Sequence, residues 1–339
     1  NFRAVDFALA QRTFLIGPNA SGKSNLLDVL RFLRDIAKED GGGLQRALGQ
    51  RGGLSKIRCL AARQDPDVVI EIELAEEPSD SPRWRYAIGL TQQGKGQRTP
   101  LLKYERVWRE DELILDRPDL GDQKDPDRLR QTHLEQLATN QPFREMAKFL
   151  ESIRYLHIVP QLIRNPEEFQ GGAAQIHDPF GRNFLELVVK TPEKTRRARL
   201  KRIESALRVA VPQFRNLTDV RDEMGIPHLE AVYEHWHPNA GRQREDQFSD
   251  GTLRLIGLLW VLLEAESPLL LEEPELSLHS DVVRKLPALF HRAQKKGRRQ
   301  IIMSTHSSDL LQDKGIGAEE ILLLTPRTDG TTAASATEH

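Results

Sequence analysis

The sequence has little cysteine, almost no net charge and no long apolar run. Its 339 residues include one cysteine, Cys59, which excludes an internal disulfide and a cysteine-rich zinc site. The net charge is −1, from 49 basic and 50 acidic residues, so any binding of nucleic acid would need a local patch. The longest apolar stretch, residues 253–263, contains Arg254 and is shorter than the roughly 20 residues of a membrane helix. These observations predict a globular, cytoplasmic protein with no membrane partner.

One segment has the spacing of a phosphate-binding loop, with a glycine, four residues and then Gly-Lys-Ser. An apolar run at 13–16 precedes it, and leucines at helical spacing follow it, which predicts a strand, a loop and an amphipathic helix. A chance match is the alternative, and this context argues against it. Loop N–H groups would bind phosphate, Lys23 would reach the β- and γ-phosphates, and the Ser24 hydroxyl would hold Mg²⁺. The sequence therefore predicts a site for ATP with Mg²⁺ at Gly17, Pro18, Asn19, Ala20, Ser21, Gly22, Lys23 and Ser24.

Two adjacent carboxylates follow a second apolar run, at residues 269–271. A buried strand that ends in this way places one carboxylate beside Mg²⁺ and the other against a water near the γ-phosphate. We therefore expect Glu272 to orient Mg²⁺ and Glu273 to polarise the attacking water. The alternative is an ordinary strand that runs into a charged loop.

Two further motifs complete the predicted site. His306 follows an apolar run at 301–304, where a lone histidine is more often structural. Its position one strand–helix unit after the paired glutamates instead favours a functional role, in which it could donate a hydrogen bond to the γ-phosphate. Ser249 and Gly251 precede the helical pattern at 253–264, where the helix N-terminus and the serine would bind an anion. The alternative for that segment is plain N-capping by Ser249 or Asp250.

The middle of the chain has two different patterns. Alternating apolar residues predict antiparallel strands at 68–74, 84–88 and 104–108. Residues 128–153 and 180–210 are predicted to be helical, with breaks at Pro142 and Pro192. Towards the end, a helix is predicted at 280–296 with a kink at Pro287, and a strand at 321–324.

In this order, the four motifs resemble the ATP-binding-cassette fold in its non-transporter branch, with the SMC and RecF proteins. The resemblance is closest to stand-alone AAA-type ATPases of bacterial repair and phage-defence systems, and residues 1–60 and 245–325 carry it. It implies an α/β protein, a P-loop ATP-binding-cassette head with an antiparallel β-lobe and an inserted helical lobe. The expected divisions are 1–64 with 245–339 for the ATP-binding core, 65–127 for the β-lobe, and 128–244 for the helical lobe with short strands.

The resemblance also implies roles for individual residues. Residues 249–252 would be the signature loop, which contacts the γ-phosphate held by a second copy, and residues 275–279 the D-loop at the dimer interface. Gln161 would be a Q-loop glutamine near Mg²⁺, and Arg3, on an opening strand at 1–3, would lie near the nucleotide. Two positions depart from the wider pattern: transporters and many SMC proteins have glycine where this chain has Asp250, and the magnesium carboxylate is Glu272 rather than aspartate. Both variants are compatible with the stand-alone branch. These departures leave the rate of hydrolysis open.

Three functions are compatible with these motifs. The first is an ATPase that dimerises with ATP and acts on DNA, or gates a partner effector, in repair or phage defence. The second is a slow ATP switch that regulates a nuclease or toxin. The third, the ATP-binding subunit of a transporter, is disfavoured by the long middle insertion and the Ser-Asp-Gly-Thr signature.

Three other segments carry weaker signals. The basic run at 190–202 could contact DNA phosphates, although a solvated helix face is the favoured interpretation. The second basic run, at 292–299, is predicted to be solvated. His235 and His237 are metal-ligand types, but two ligands do not make a metal site.

Overall fold

The computed structural model describes residues 1–59, 67–77, 80–92, 99–165, 178–234, 241–264, 267–294 and 299–338. The chain forms two units. The first contains Asn1–Gln11, Ile16–Ile153 and Leu322–His339, and the second contains Arg12–Leu15 and Arg154–Ile321. The predicted three-part division at residues 64, 127 and 244 stays a prediction.

The helices and strands follow one another in this order: β1 (Arg12–Ile16), α1 (Lys23–Ala37), α2 (Leu44–Gly49), α3 (Leu54–Ile57), β2 (Val68–Leu74), β3 (Trp84–Gln92), β4 (Pro100–Arg109), β5 (Glu112–Arg117), α4 (Leu120–Lys124), α5 (Arg144–Ser152), β6 (Arg154–Leu156), α6 (Pro160–Arg164), α7 (Phe184–Lys190), α8 (Glu193–Leu207), β7 (Phe214–Arg221), β8 (Pro227–Tyr233), β9 (Arg242–Arg244), α9 (Asp250–Leu262), β10 (Leu269–Glu272), α10 (Ser280–Val283), α11 (Leu286–Gln294), β11 (Ile301–Ser304), α12 (Ser308–Leu311), β12 (Ile321–Arg327) and β13 (Gly330–Ser335).

The first unit contains a four-stranded antiparallel sheet in the order β2-β3-β4-β5. The three strands predicted from alternation are confirmed, and β5 extends the sheet beyond them. A buried charge network lies at its end, where the Arg117 guanidinium contacts Glu105 at 3.0 Å and Asp122 at 2.8 Å. Burial alone would raise the pKa of Asp122, but hydrogen bonds from Arg117 and the Asp119 N–H outweigh it and lower that pKa to about 2.

The helix predicted over 128–153 is wrong for most of its length, because only α5 forms an α-helix there. Carboxylates rather than helical carbonyls accept the N–H bonds of the preceding residues. Glu105 accepts from the N–H groups of His133 and Leu134, and Glu135 accepts from the N–H of Thr132. These long-range and local side-chain acceptors stabilise turns in place of a helix.

The second unit contains four parallel strand segments in the order β1-β11-β10-β6. Because they are parallel, their carboxyl ends lie at one edge, where Leu15 pairs with Ser304 and Glu272 pairs with Ser304 on the other side. Helix α9 is buried on almost all sides, which explains its nearly continuous apolar sequence. The helical prediction for 180–210 is confirmed by α7 and α8, with the break next to Pro192. The helix predicted at 280–296 with a kink at Pro287 is instead interrupted before that residue, between α10 and α11, and Pro287 lies in the first turn of α11.

Candidate active site

The predicted phosphate loop lies between β1 and α1, the context expected for it. Gly22 adopts a left-handed backbone with φ 98°, and a Cβ there would lie 2.9 Å from the Phe2 ring. A Cβ at Gly17 would lie 2.5 Å from the Leu324 carbonyl oxygen. Both positions therefore require glycine, one for its backbone conformation and both for space.

Lys23 folds back onto its own loop. Its Nζ donates to the carbonyl oxygens of Gly17 at 2.8 Å and Pro18 at 3.0 Å, and the residue is buried. The Ser21 hydroxyl is also buried, and no described residue hydrogen-bonds to it. A buried cation and an unsatisfied hydroxyl within a glycine-rich loop fit a phosphate ligand.

The N-terminal residues contact this loop but do not form the opening strand that was predicted at 1–3, and that prediction is wrong. Separate bonds replace a strand ladder. The Asn1 amide donates to the Ala20 carbonyl, Asn25 donates to the Asn1 side chain at 2.8 Å, and the Thr331 N–H donates to the Asn1 carbonyl at 2.9 Å. Arg3 is exposed, and its contact with nucleotide stays a prediction.

Glu272 ends β10, and its side chain is held by Tyr155 from the neighbouring strand β6. The Tyr155 hydroxyl, which is buried, donates to Glu272 Oε2. The His157 Nδ1 atom lies 3.3 Å from the Glu272 backbone oxygen. Sequence reasoning missed Tyr155, because β6 is only three residues long and has no motif of its own.

Glu273 and His306 are brought together at the same edge. The His306 Nε2 atom lies 3.3 Å from Glu273 Oε1, and the Glu273 N–H donates to the Ser304 carbonyl at 3.1 Å. Glu273 has a φ of 45°, in the left-handed region that non-glycine residues rarely adopt. A strained backbone at a carboxylate that contacts a histidine is typical of a functional site.

Glu275 belongs to the predicted D-loop, and its side chain also connects that segment to His306, a contact that the sequence did not predict. Its Oε1 accepts from the Thr305 hydroxyl at 2.6 Å and from the His306 N–H at 3.0 Å. Its other oxygen is buried with no described partner. Arg254 on α9 is also buried. Burial lowers its pKa and outweighs the negative charges of Asp250, Glu273 and Glu275, which act to raise it.

The signature segment is an N-cap, as one of the two interpretations predicts, and it also contacts the D-loop. Ser249 Oγ accepts from the Thr252 N–H at 3.2 Å. A Cβ at Gly251 would lie 2.6 Å from the Ser277 carbonyl oxygen. Gly251 is therefore required by the close approach of the D-loop backbone.

The predicted Q-loop residue Gln161 lies on α6 and contacts the signature segment. Its amide Nε2 donates to Asp250 Oδ2 at 3.0 Å, and Arg164 on the same helix contacts Asp250 Oδ1 at 2.5 Å. The role of Gln161 towards Mg²⁺ stays a prediction.

The residues predicted to hold Mg²⁺, Ser24 in the first unit and Glu272 in the second, have the chemistry that suits this ion, and their joint role stays a prediction. A serine hydroxyl from Ser24 and a carboxylate from Glu272 are hard oxygen ligands, and Mg²⁺ commonly takes one or two protein ligands together with waters and substrate phosphates. Among the described residues, no group of three or more histidine, cysteine or acidic side chains is arranged to hold a metal. His235 and His237 lie outside the described residues.

The second basic run is partly buried, which corrects the prediction that it is solvated. Arg299 is buried, and its guanidinium donates to the carbonyls of Ser267 and Val261, each at 2.8 Å. Burial lowers the pKa of Arg299 to about 10. Arg292 is exposed, and residues 295–298 lie outside the described part of the chain.

Comparison with known proteins identifies the family. A family model described as "AAA domain, putative AbiEii toxin, Type IV TA system" matches residues 12–312. The chain belongs to this family. No curated protein sequence matches it. The fold of this AAA-type domain is similar to an SMC head bound to the C-terminal winged-helix domain of ScpA, with a TM-score of 0.55, 13% identity, and coverage of 98% of this chain and 94% of that one.

Two other SMC head structures are more distant. An SMC head from Pyrococcus furiosus, with an extended coiled coil and bound to the C-terminal domain of ScpA, has a TM-score of 0.49 and 15% identity over 98% of this chain and 92% of that one. The SMC head from Thermotoga maritima has a TM-score of 0.40 and 13% identity over 97% and 92%. The predicted fold, an SMC- and RecF-like AAA head, is therefore confirmed by the family and by the first of these structures. In the described residues no helix is long and apolar enough to cross a membrane.

Proposed function

We propose that this AAA-family chain is an ATPase, in which Glu273 takes the proton of the water that attacks the γ-phosphate of ATP. The observation that carries the proposal is the contact between Glu273 and His306 at 3.3 Å, at the edge where β1, β10 and β11 end. The phosphate loop follows β1 directly in the chain. Its residues 17–24 would bind the phosphates, and the reaction would give ADP and inorganic phosphate.

Individual residues have distinct roles in this proposal. Lys23 exchanges its loop carbonyls for the β- and γ-phosphate oxygens, and His306 orients the Glu273 carboxylate and donates to the γ-phosphate. Mg²⁺, held by Ser24 and Glu272, would neutralise phosphate charge. Gln161 and Arg3 would contact the nucleotide site from their respective segments.

We further propose that the working form contains two copies and two ATP molecules, in the cytoplasm. Ser249 and Gly251 of one copy would meet the γ-phosphate bound by the loop of the other. The support is the α9 N-terminus, where N–H groups and the Ser249 hydroxyl gather next to the D-loop.

The test is Glu273→Gln, with Glu319→Gln as the control because Glu319 is an exposed glutamate of the same unit. Glu273→Gln should reduce phosphate release by at least about a hundredfold, while ATP binding persists and ATP-bound dimers accumulate in sizing experiments. Glu319→Gln should behave as the native protein does. Unchanged turnover in Glu273→Gln would remove Glu273 from its assigned role.

The first proposal is that this ATPase binds and acts on DNA, and the exposed face of α8 supports it. Lys194, Arg197 and Lys201 recur there at three- and four-residue steps and are exposed. Two other arginines of the run are used internally, since Arg196 pairs with Asp219 at 2.9 Å and Arg199 lies over the Trp260 ring.

The DNA proposal predicts a salt-dependent affinity. If both lysines contact phosphates, Lys194→Gln with Lys201→Gln should reduce the slope of log affinity against log salt by about 2, roughly 0.9 for each contact. Lys148→Gln, an exposed lysine of α5, serves as the control. No binding of duplex or single-stranded DNA at low salt would exclude this proposal.

The second candidate function is a slow ATP switch that holds a nuclease or toxin partner. Two observations favour it: the family description, which names a toxin and a toxin–antitoxin system, and the replacement of aspartate by Glu272. It predicts that a partner co-purifies from the native host and is released when ATP is added. Rapid turnover by a monomer, independent of DNA, would contradict both candidates.

A further inference from the structure

Asp250 places a carboxylate inside the segment that we propose binds phosphate. It lies between Ser249 and Gly251, at the first position of α9. A negative charge at this place would repel the γ-phosphate of an incoming nucleotide, since like charges that face each other across an interface cost binding energy. The structure therefore has to account for how an acidic residue is tolerated there.

Two side chains of helix α6 contact the two carboxylate oxygens of Asp250. Arg164 NH1 lies 2.5 Å from Oδ1, and the Gln161 amide donates to Oδ2 at 3.0 Å. The ion pair is only partly exposed, with 20% of the Arg164 side chain and 36% of the Asp250 side chain accessible to solvent. One cation and one neutral donor thus compensate the single negative charge.

Arg164 also bonds to the residue that precedes Ser249 in the sequence. Its NH2 group donates to the Phe248 carbonyl at 2.5 Å. Phe248 is buried, with its ring centroid 5.6 Å from that of Phe214 and 6.2 Å from that of Tyr233. The guanidinium therefore connects Asp250 to a backbone group that aromatic packing fixes in place.

We propose that Arg164 is a positioning residue that holds the Asp250 carboxylate against α6 and out of the phosphate site. Ser249 and the N–H groups of the signature loop can then meet the γ-phosphate of ATP on a second copy. The inference rests on the proposed two-copy function. It accounts for how an acidic residue is tolerated within the signature loop, because α6 supplies the compensating charge.

The experiment uses four substitutions in the full chain, each combined with Glu273→Gln so that ATP is not consumed. They are Arg164→Gln, Asp250→Asn, the double variant of these two, and Arg164→Lys. The control is Arg106→Gln, which breaks an ion pair of 2.8 Å with Asp116 in the first unit. Sedimentation equilibrium with ATP gives the dimer dissociation constant, and titration with a fluorescent ATP analogue gives nucleotide affinity of the monomer.

Arg164→Gln should weaken ATP-dependent dimerisation by at least roughly tenfold, because it releases an uncompensated carboxylate beside the phosphate. Asp250→Asn should stay within about threefold of the parent, and adding Asp250→Asn to Arg164→Gln should restore dimerisation to that level. Arg164→Lys keeps the positive charge and should therefore retain most of the ATP-dependent dimerisation. Arg106→Gln should have no effect, and nucleotide affinity of the monomer should not change in any variant.

The rescue distinguishes positioning from other roles. If the double variant dimerises as weakly as Arg164→Gln, Arg164 acts on phosphate directly or on the fold, and the inference is wrong. It is also wrong if Arg164→Gln dimerises as well as its parent does. If the Glu273→Gln parent itself does not dimerise with ATP, the two-copy function fails and the inference fails with it.

Discussion

Glu275 offers a test of how the histidine of the site is held in place. Its Oε1 accepts from the Thr305 hydroxyl at 2.6 Å and the His306 N–H at 3.0 Å, in a side chain that is largely buried. Glu275→Ala removes the oxygen that accepts both hydrogen bonds. Each buried donor left without a partner costs about 1–3 kcal/mol, and water entering the vacated space recovers part of this. We therefore expect the free energy of unfolding to fall by about 2–4 kcal/mol.

The same substitution should reduce turnover more than it reduces ATP binding. The His306 backbone loses its anchor, so the 3.3 Å contact of its ring with Glu273 loosens. A displacement of about 1 Å at a reacting group can cost about a hundredfold in rate, and we expect kcat to fall by about 10- to 100-fold with a smaller change in KM.

Glu275→Gln is the matched variant, because its amide oxygen can still accept both hydrogen bonds. It should retain most of the turnover and lose less stability than Glu275→Ala does. Phosphate release under saturating ATP and urea denaturation measure the two effects. A kcat for Glu275→Ala within twofold of the native value would refute the reasoning, as would a Glu275→Gln variant that is as impaired as Glu275→Ala.

Three further predictions concern stability and packing. Arg117→Met should lower the free energy of unfolding by about 3–5 kcal/mol by leaving buried carboxylates unpaired, whereas Arg106→Met, at an exposed pair, should cost under about 1 kcal/mol in urea denaturation. Burial and the Arg117 charge lower the pKa of His133 to about 4. As the pH falls, His133 is protonated near pH 6.5 in the unfolded chain but only near pH 4 in the folded chain. The free energy of unfolding should therefore decrease by at most about 3 kcal/mol between these pH values, and His133→Asn should reduce this pH dependence. Gly251→Ala forces its Cβ against the Ser277 carbonyl and should weaken ATP-dependent dimerisation in sedimentation, but not nucleotide binding by the monomer.

The motifs of the site were predictable because each is local. The phosphate loop carries its own glycines, its lysine and the flanking strand and helix, and the two glutamates follow a strand that is apolar throughout. Parallel strands bring Glu273 and His306 to one edge of the sheet. Local patterns thus sufficed for the α/β class and for selecting Glu273 and His306 as candidates, whereas the contact between their side chains was seen only in the structure.

The remaining features depend on residues that are distant in sequence. Gln161 donates a hydrogen bond to Asp250, which is 89 positions away in the sequence. Glu105 accepts a hydrogen bond from the N–H of Leu134, 29 positions away, where a helix was predicted. In the sequence, Arg299 belongs to a basic run that was predicted to be solvated. In the structure its guanidinium donates to the carbonyls of Ser267 and Val261. Periodicity carries no information about such partners.

The bonds that Lys23 makes to its own loop bear on which nucleotides the protein can select. A ligand that draws the ammonium group away must replace two carbonyl acceptors, at Gly17 and Pro18. The β- and γ-phosphates of a triphosphate offer stronger, charged acceptors for that exchange. A single phosphate group offers the lysine fewer charged oxygens for this exchange than a triphosphate chain does. In the proposed ATPase, the lysine would therefore select for the phosphate chain of the nucleotide rather than for its base.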